Sequence, residues 1–378
     1  MGADGADAFA DKVENDKKAD IRFDPGRGLV ALRAWAQEWL ERQLVGESTR
    51  RNYEGFIRNH LGPRLGRKTL AGLARRDFEE FAKDLHASGE GLAVSTVNDR
   101  MVMVAALMEA AVVDKRITEN PARGIRISRR DVVAVDEDAV PTPAEVDLIA
   151  AHIAPQFRLA VYLQSGTGQR PSEALAFSTE CGRSGFVRVR WQVSAKAHYE
   201  DCPAPFVPLK HRLEKEYRDI PTALFVEQEI AAHLRRWKPV PVVFSGQKGK
   251  RVRLETFFAP RHPGAGVMPS IASYGYQFKK ACLLAGLVDL DGKAKYTPRS
   301  LRHFFASTAL ANGVPIHEVS RWLGHRSVKT TVDIYGHMLP GAWERCREVL
   351  QRSMRPLSPD VKSLPSEEAS SSACNQAV

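Results

Sequence analysis

Cysteine is scarce in this 378-residue chain. Cys181, Cys202, Cys282, Cys346 and Cys374 are odd in number and scattered, and they form no CxxC pair. That pattern argues against a disulfide framework and against a zinc site, and for a reducing compartment. Long apolar runs are missing too: none approaches the roughly 18 residues of a membrane-spanning helix. The first twenty residues, MGADGADAFADKVENDKKAD, lack the apolar core of a secretory leader. A cytoplasmic protein with no membrane partner is the expectation. His317-Glu318 is followed by Val-Ser-Arg, so HExxH is not completed, and no other His/Cys cluster has ligand spacing. No GxxxxGK[ST] phosphate loop occurs, and Ser245-Gly-Gln-Lys-Gly-Lys-Arg reads instead as a basic loop. Neither a metal nor ATP is expected, and no cofactor.

What is present is positive charge. The formal net charge is +10 and the sequence pI about 9.4, which suits a polyanionic partner such as nucleic acid. At 43% hydrophobic and 26% charged residues the composition is that of an ordinary soluble protein, long enough for two domains with real cores.

The chain divides by composition. Residues 1–27 are rich in Gly, Ala, Asp and Lys and read as a flexible N-terminal arm. From 28 to 123 four helical patterns follow. Leu32, Trp35, Trp39 and Leu40 mark the first. Ser48-Thr49 opens the second, which carries Tyr53, Phe56, Ile57 and Leu61 and stops at Gly62-Pro63. Asp77 caps the third, with Phe78, Phe81 and Leu85 inside. Ser95 caps the fourth, with Val97, Val102, Ala105, Leu107 and Met108 mostly buried. Arg50, Arg51, Arg64, Arg67, Lys68, Arg75 and Arg76 give this bundle one cationic side. Residues 124–141 lack a period and read as a linker. Thr142-Pro143-Ala144-Glu145 is a capping box that opens a second domain, 142–355. Within it Val187, Val189, Trp191 and Val193 alternate with polar residues as a strand does, and Tyr217 to Ile220 can pair with it. The rest reads as helix, apart from loops at 245–251 and 261–269. The Ser/Pro/Glu-rich tail, 356–378, reads as disordered. The fold class is mainly α with a small antiparallel β-sheet.

One stretch concentrates chemistry: YTPRSLRHFFASTALANGVPIHEVSRWLGHRSVKTTVDIYGH, Tyr296 to His337. Thr297-Pro298 starts a helix whose Leu301, Phe304, Phe305 and Ala309 form an apolar stripe, with Arg302 and His303 on its edge. After Gly313 and Pro315, Ile316, Val319 and Leu323 bury a second helix that Gly324 ends. His325 emerges just past that terminus, and Tyr335 follows a short Ser/Thr-flanked segment. A tyrosine hydroxyl has a pKa near 10, so as a nucleophile it needs neighbouring cations or a base. Arginines match a phosphate, and phosphoryl transfer relies on positioning and charge neutralisation. Attack of Tyr335 on a phosphodiester is the implied reaction. Taken singly, Tyr335 would more often be a core aromatic, and a lone Arg or Lys a solvated charge.

The run LRHFFAS…LGH…TTVDIYGH resembles the C-terminal motifs of the tyrosine recombinase (phage integrase) family: Arg-His, then Leu-Gly-His, then Tyr. TGQRPSE is similar to its first arginine motif, TGxRxxE. The resemblance spans about residues 29–350, weakly in the first domain and strongly in the second, and points to the actinobacterial type of prophage or integrative-element enzyme. It implies an N-terminal four-helix SAM-like core-binding domain and a catalytic domain of the DNA breaking-rejoining fold. It also implies site-specific cleavage and rejoining of double-stranded DNA through a 3′-phosphotyrosyl intermediate. Arg170 and Arg302 would hold the non-bridging oxygens of the scissile phosphate, with Glu173 orienting the first. Lys210, before RDIP, would be the general acid, with Lys196 and Lys215 as rivals. His325 and His303 would contact phosphate or assist proton transfer, and Tyr335 would be the nucleophile. The family often has His-x-Leu-Arg-His; here Arg299 stands at the first position. An arginine cannot serve as a base at neutral pH, so Arg299 is expected on phosphate, and His303 or His325 must take the tyrosine proton. The resemblance further implies a C-shaped clamp on DNA and a homotetramer on synapsed sites, with an excision factor or DNA-bending protein as further partners. AWERCREVLQRSM either docks on a neighbouring protomer or packs on its own. A type IB topoisomerase and a catalytically inactive DNA-binding regulator are the alternatives.

Overall fold

Trp35 and Trp39 sit at the centre of the first of two units into which the chain divides, residues 1–132 and 133–378. The computed structural model describes residues 25–87, 91–128, 137–194, 206–210, 212–245, 251–258, 270–336 and 342–354. The expectations for the arm up to residue 24, Lys196, the loop at 261–269 and the tail lie outside the described residues.

In the first unit α1 (Leu32–Glu41) buries Leu32, Trp35, Ala36, Trp39 and Leu40. The Trp35 indole N–H donates to the Leu107 carbonyl at 3.1 Å, so its single polar atom is satisfied inside the core. α2 (Glu47–Phe56) does not stop at Gly62-Pro63 as the sequence suggests. It continues through a π-helical turn, Ile57–Leu61, into a further α turn, Gly62–Leu65. Pro63 is tolerated there because it falls at the start of a turn, where its missing N–H costs least. A Cβ on Gly62 would lie 2.9 Å from the Ile57 carbonyl oxygen, so the passage depends on glycine. α3 (Arg75–Ala87) has its N-terminus capped by Asp77, whose carboxylate accepts from the Ala74 N–H and from Lys68. α4 (Val94–Val113) begins after Ala93 rather than at Ser95, and buries Val97, Met101, Val104, Met108 and Ala111. Val102 falls off that i, i+3/i+4 row and is 55% exposed, against expectation. Nor are all the basic residues free charges. Arg50 donates to the carbonyls of Leu40 and Gln43, while Lys68, Arg75 and Arg76 pair with Asp77, Glu79 and Glu80.

The second unit opens with the expected capping box on α5 (Pro143–His152). α6 (Arg158–Thr167) is buried almost all round and runs into Gly168. α7 (Pro171–Ala174) is one turn long. The strand expected at 187–193 has its four apolar residues inward, but it is two strands. β1 (Gly182–Arg183), β2 (Phe186–Val189) and β5 (Arg218–Pro221) form one antiparallel sheet, ordered β1-β2-β5, with Val189 opposite Arg218. β3 (Trp191–Val193) pairs with β4 (Phe206–Pro208). After α8 (Leu224–Arg236) comes a hairpin that the helical reading missed, β6 (Val240–Ser245) with β7 (Arg251–Thr256). It then continues through α9 (Ile271–Leu284), α10 (Pro298–Ala311), α11 (Ile316–Leu323), α12 (Val328–Tyr335) and α13 (Ala342–Met354). The segment leading to Tyr335 is therefore a helix. The buried face of α10 is Leu301, Arg302, Ala306 and Leu310, with Phe304 and Phe305 only half-buried. Arg302 thus lies inside the unit, not on a stripe's edge. A small core of Ala306, Leu310, Val319, Leu323 and Tyr335 joins α10, α11 and α12.

Candidate active site

The site is built on chain breaks. α6 ends because Gly168 adopts φ +64°, which glycine enters without strain. A Cβ there would meet Phe305 Cδ1 at 2.5 Å. The close approach brings the Gly168 carbonyl to Arg302 Nη1, 2.7 Å away. Arg302 Nη2 donates to the Leu323 carbonyl at 2.7 Å and lies 3.0 Å from His325 Nε2. Burial first, and the Arg170 charge second, bring Arg302 down to about 9, so it remains cationic near neutrality.

Arg170 follows the glycine and precedes α7. Its backbone N–H and Nη1 donate to the two carboxylate oxygens of Glu173, both at 2.8 Å. Glu173 is buried and also accepts from Arg218, at 3.1 and 2.5 Å. Burial alone would raise this carboxyl; the charges of Arg218, Arg170 and Arg302 outweigh it and hold the group down near 2. The carboxylate is therefore ionised, and it holds Arg170 by these two bonds. Sequence reasoning missed Arg218, whose Nε donates to the Trp322 carbonyl at 2.7 Å, near the end of α11. Its inward position in the alternating strand RDIP was the available signal.

His325 follows Gly324, which ends α11 at φ +70°. Its Nδ1 is 2.8 Å from the hydroxyl of Thr331, another residue passed over in the sequence. Burial, then Arg302 and Arg170, push this imidazole down to about 4. His303 is likewise lowered to about 4 by burial and by Arg302 and Arg299. Both rings are neutral at pH 7. His303 Nδ1 lies 2.8 Å from the Tyr335 hydroxyl. Tyr335 is 1% exposed; burial pushes its phenol up to about 12, against the pull of Arg302 and Arg299. Arg299, exposed, sits one turn before His303 on α10.

Lys210 is exposed in the turn just beyond β4. Gln192 on β3 ties this strand pair to α7: its Nε2 donates to the Pro208 carbonyl at 2.9 Å, and its Oε1 accepts from Ser172 at 3.4 Å. Lys215 is also exposed and lies in the turn before β5. Of the eight expected residues, six form bonded pairs, Arg170 with Glu173, Arg302 with His325 and His303 with Tyr335, which feel one another's charges, and Arg299 stands one turn before His303. Lys210 is linked to them only through its strand. Among the described residues, no group of three or more His, Cys, Asp or Glu is placed to hold a metal ion, and no helix is long and apolar enough to cross a membrane.

Residues 265–341 match the phage integrase family, and residues 31–86 match its N-terminal SAM-like domain. Both matched segments are thus similar to parts of phage integrases. Relatives include the integrase of Mycobacterium phage L5, 27% identical over 39% of this chain and 37% of its own. The integrases of phages FRAT1 and D29 match at 27% as well, so the chain spans about two fifths of the length of these relatives. The tyrosine recombinase XerD of Corynebacterium glutamicum is 25% identical over 82% of this chain and 94% of its own. Among solved structures, the Tn1549 transposon integrase bound to transposon right-end DNA superposes with TM-score 0.66 at 18% identity, covering 86% of this chain and all of that one. A lambda integrase tetramer on a Holliday junction gives 0.58 at 16% identity, over 86% and 89%. At these identities the structures establish the shared fold.

Proposed function

We propose that this chain is a member of the phage integrase family and acts as a site-specific DNA recombinase that integrates or excises a mobile element in the cytoplasm. The observation that carries the reading is the Tyr335 hydroxyl, held 2.8 Å from a neutral imidazole beside a buried arginine. Arg170 and Arg302 bind the non-bridging oxygens of one DNA phosphate and offset the charge that grows on them in the transition state. His303 takes the phenol proton as Tyr335 Oη bonds to phosphorus. The bond to the 5′-oxygen breaks, and Lys210 donates the proton that oxygen needs. A 3′-phosphotyrosyl link and a 5′-hydroxyl result. Attack by a partner strand's 5′-hydroxyl reverses these transfers and frees the tyrosine. The bond energy stays in the adduct, so no nucleotide is consumed. The lambda integrase tetramer on a Holliday junction supports assembly as a tetramer on paired sites.

The test mixes purified wild type or Tyr335→Phe with DNA spanning the ends of the encoding element, in EDTA. An SDS-resistant protein–DNA band from wild type only is expected, and none on unrelated DNA. A band on any supercoiled DNA would mean a general topoisomerase. Binding to element DNA in a gel shift with no band would leave a regulator.

A further inference from the structure

Thr331 carries no part in that reaction, yet it is fully buried and its hydroxyl lies 2.8 Å from His325 Nδ1. It stands one helical turn before Tyr335 on α12, and these two are that helix's buried residues. One side chain thus meets the imidazole from the helix that carries the nucleophile. The hydrogen positions follow from the partners. A guanidinium only donates, so Arg302 Nη2 donates to the Nε2 lone pair of His325. In a neutral ring the other nitrogen then bears the hydrogen, and Nδ1–H donates to Thr331 Oγ1. A hydroxyl can also donate. The same contact therefore persists if Nε2 carries the hydrogen toward a phosphate oxygen. A carbonyl at this position would allow only the first arrangement.

We propose that Thr331 is a positioning residue: it fixes the ring of His325 and, through one turn of α12, sets the Tyr335 hydroxyl in register with Arg170 and Arg302. The proposal rests on the recombinase reading for its catalytic consequence, but the contact itself can be tested without DNA. Thr331→Val keeps the branched shape and loses the hydroxyl; Thr331→Ser keeps the hydroxyl and loses the methyl. Comparing them separates bonding from packing.

The experiment has two readouts on wild type and both full-length variants. The first is the rate of SDS-resistant adduct formation on element-end DNA. The second is the proton NMR signal of the His325 ring N–H in the free protein, assigned by its absence in His325→Gln. Thr331→Val is expected to slow adduct formation by about 10- to 100-fold, the range for loss of a partner that orients a functional histidine. Its ring N–H signal should exchange away. Thr331→Ser should stay within about threefold of wild type and keep the signal, as a retained hydroxyl requires. A Thr331→Val protein that matches wild type in both readouts overturns the proposal. So does a folded Thr331→Ser that is as slow as Thr331→Val, since packing alone would then matter. If wild type forms no adduct, the recombinase reading falls, and the ring signal decides whether Thr331 holds His325.

Discussion

Tyr335 is held in an environment that opposes its ionisation: burial raises the phenol to about 12, while the ring that can take its proton is neutral down to about 4. The hydroxyl is paired with the His303 ring and keeps its proton at neutral pH. In the proposed reaction, a DNA phosphate between Arg170 and Arg302 would neutralise part of the charge that depresses His303 and make it a better base. His303→Gln is expected to lower the initial rate of adduct formation by about 100-fold or more, as loss of a general base does, with binding in a gel shift unchanged. The candidate site was largely legible in the sequence because its residues fall in short motifs beside glycines and prolines. Arg218 and Thr331 lie within the quoted runs RDIP and TTVDIYGH but escaped notice because each bonds to another side chain, Glu173 or His325, a contact that no local pattern reveals.

Elements differ in how far sequence betrays them. The α5 capping box and the Val187 to Val193 alternation are local patterns, and both are found where expected. The buried face of α10 is not local. Arg302 is polar in any periodicity count, but carbonyls 134 and 21 positions away accept its hydrogens, so it goes inside. The hairpin of β6 and β7 escaped because the residues on either side of the loop at 245–251 were read as helix. The break between α6 and α7 is the element on which the site depends most. Gly168→Ala is expected to destabilise the protein by about 2–4 kcal/mol, from a strained φ and a clash with Phe305. Urea denaturation of the two proteins measures it, and the adduct rate should fall with it.

At the scale of the whole molecule, the buried ionisable groups set a dependence of stability on acid. His303 and His325 titrate near 4 in the folded chain and near 6.5 when unfolded. Between those values the unfolded chain binds protons that the folded one refuses, so stability falls as pH drops from about 6.5 to 4. Glu173 extends the loss, because its folded value near 2 lies below the unfolded value of about 4.3. Its contribution is present above that range and disappears as pH falls through it. Thermal melts should therefore show a steady decline in Tm from pH 7 to 4, shallower in the His303→Gln, His325→Gln double variant. The acceptors of Arg302 have a consequence of another kind. The arginine is anchored by main-chain carbonyls, of Gly168 and Leu323, and every amino acid supplies one. Leu323 can thus drift to any side chain that packs as well without loosening the guanidinium, whereas no replacement for Arg302 itself carries the same fork of donors. Selection on such an anchor is one-sided: the gripping residue is frozen while one of its grips stays free to evolve.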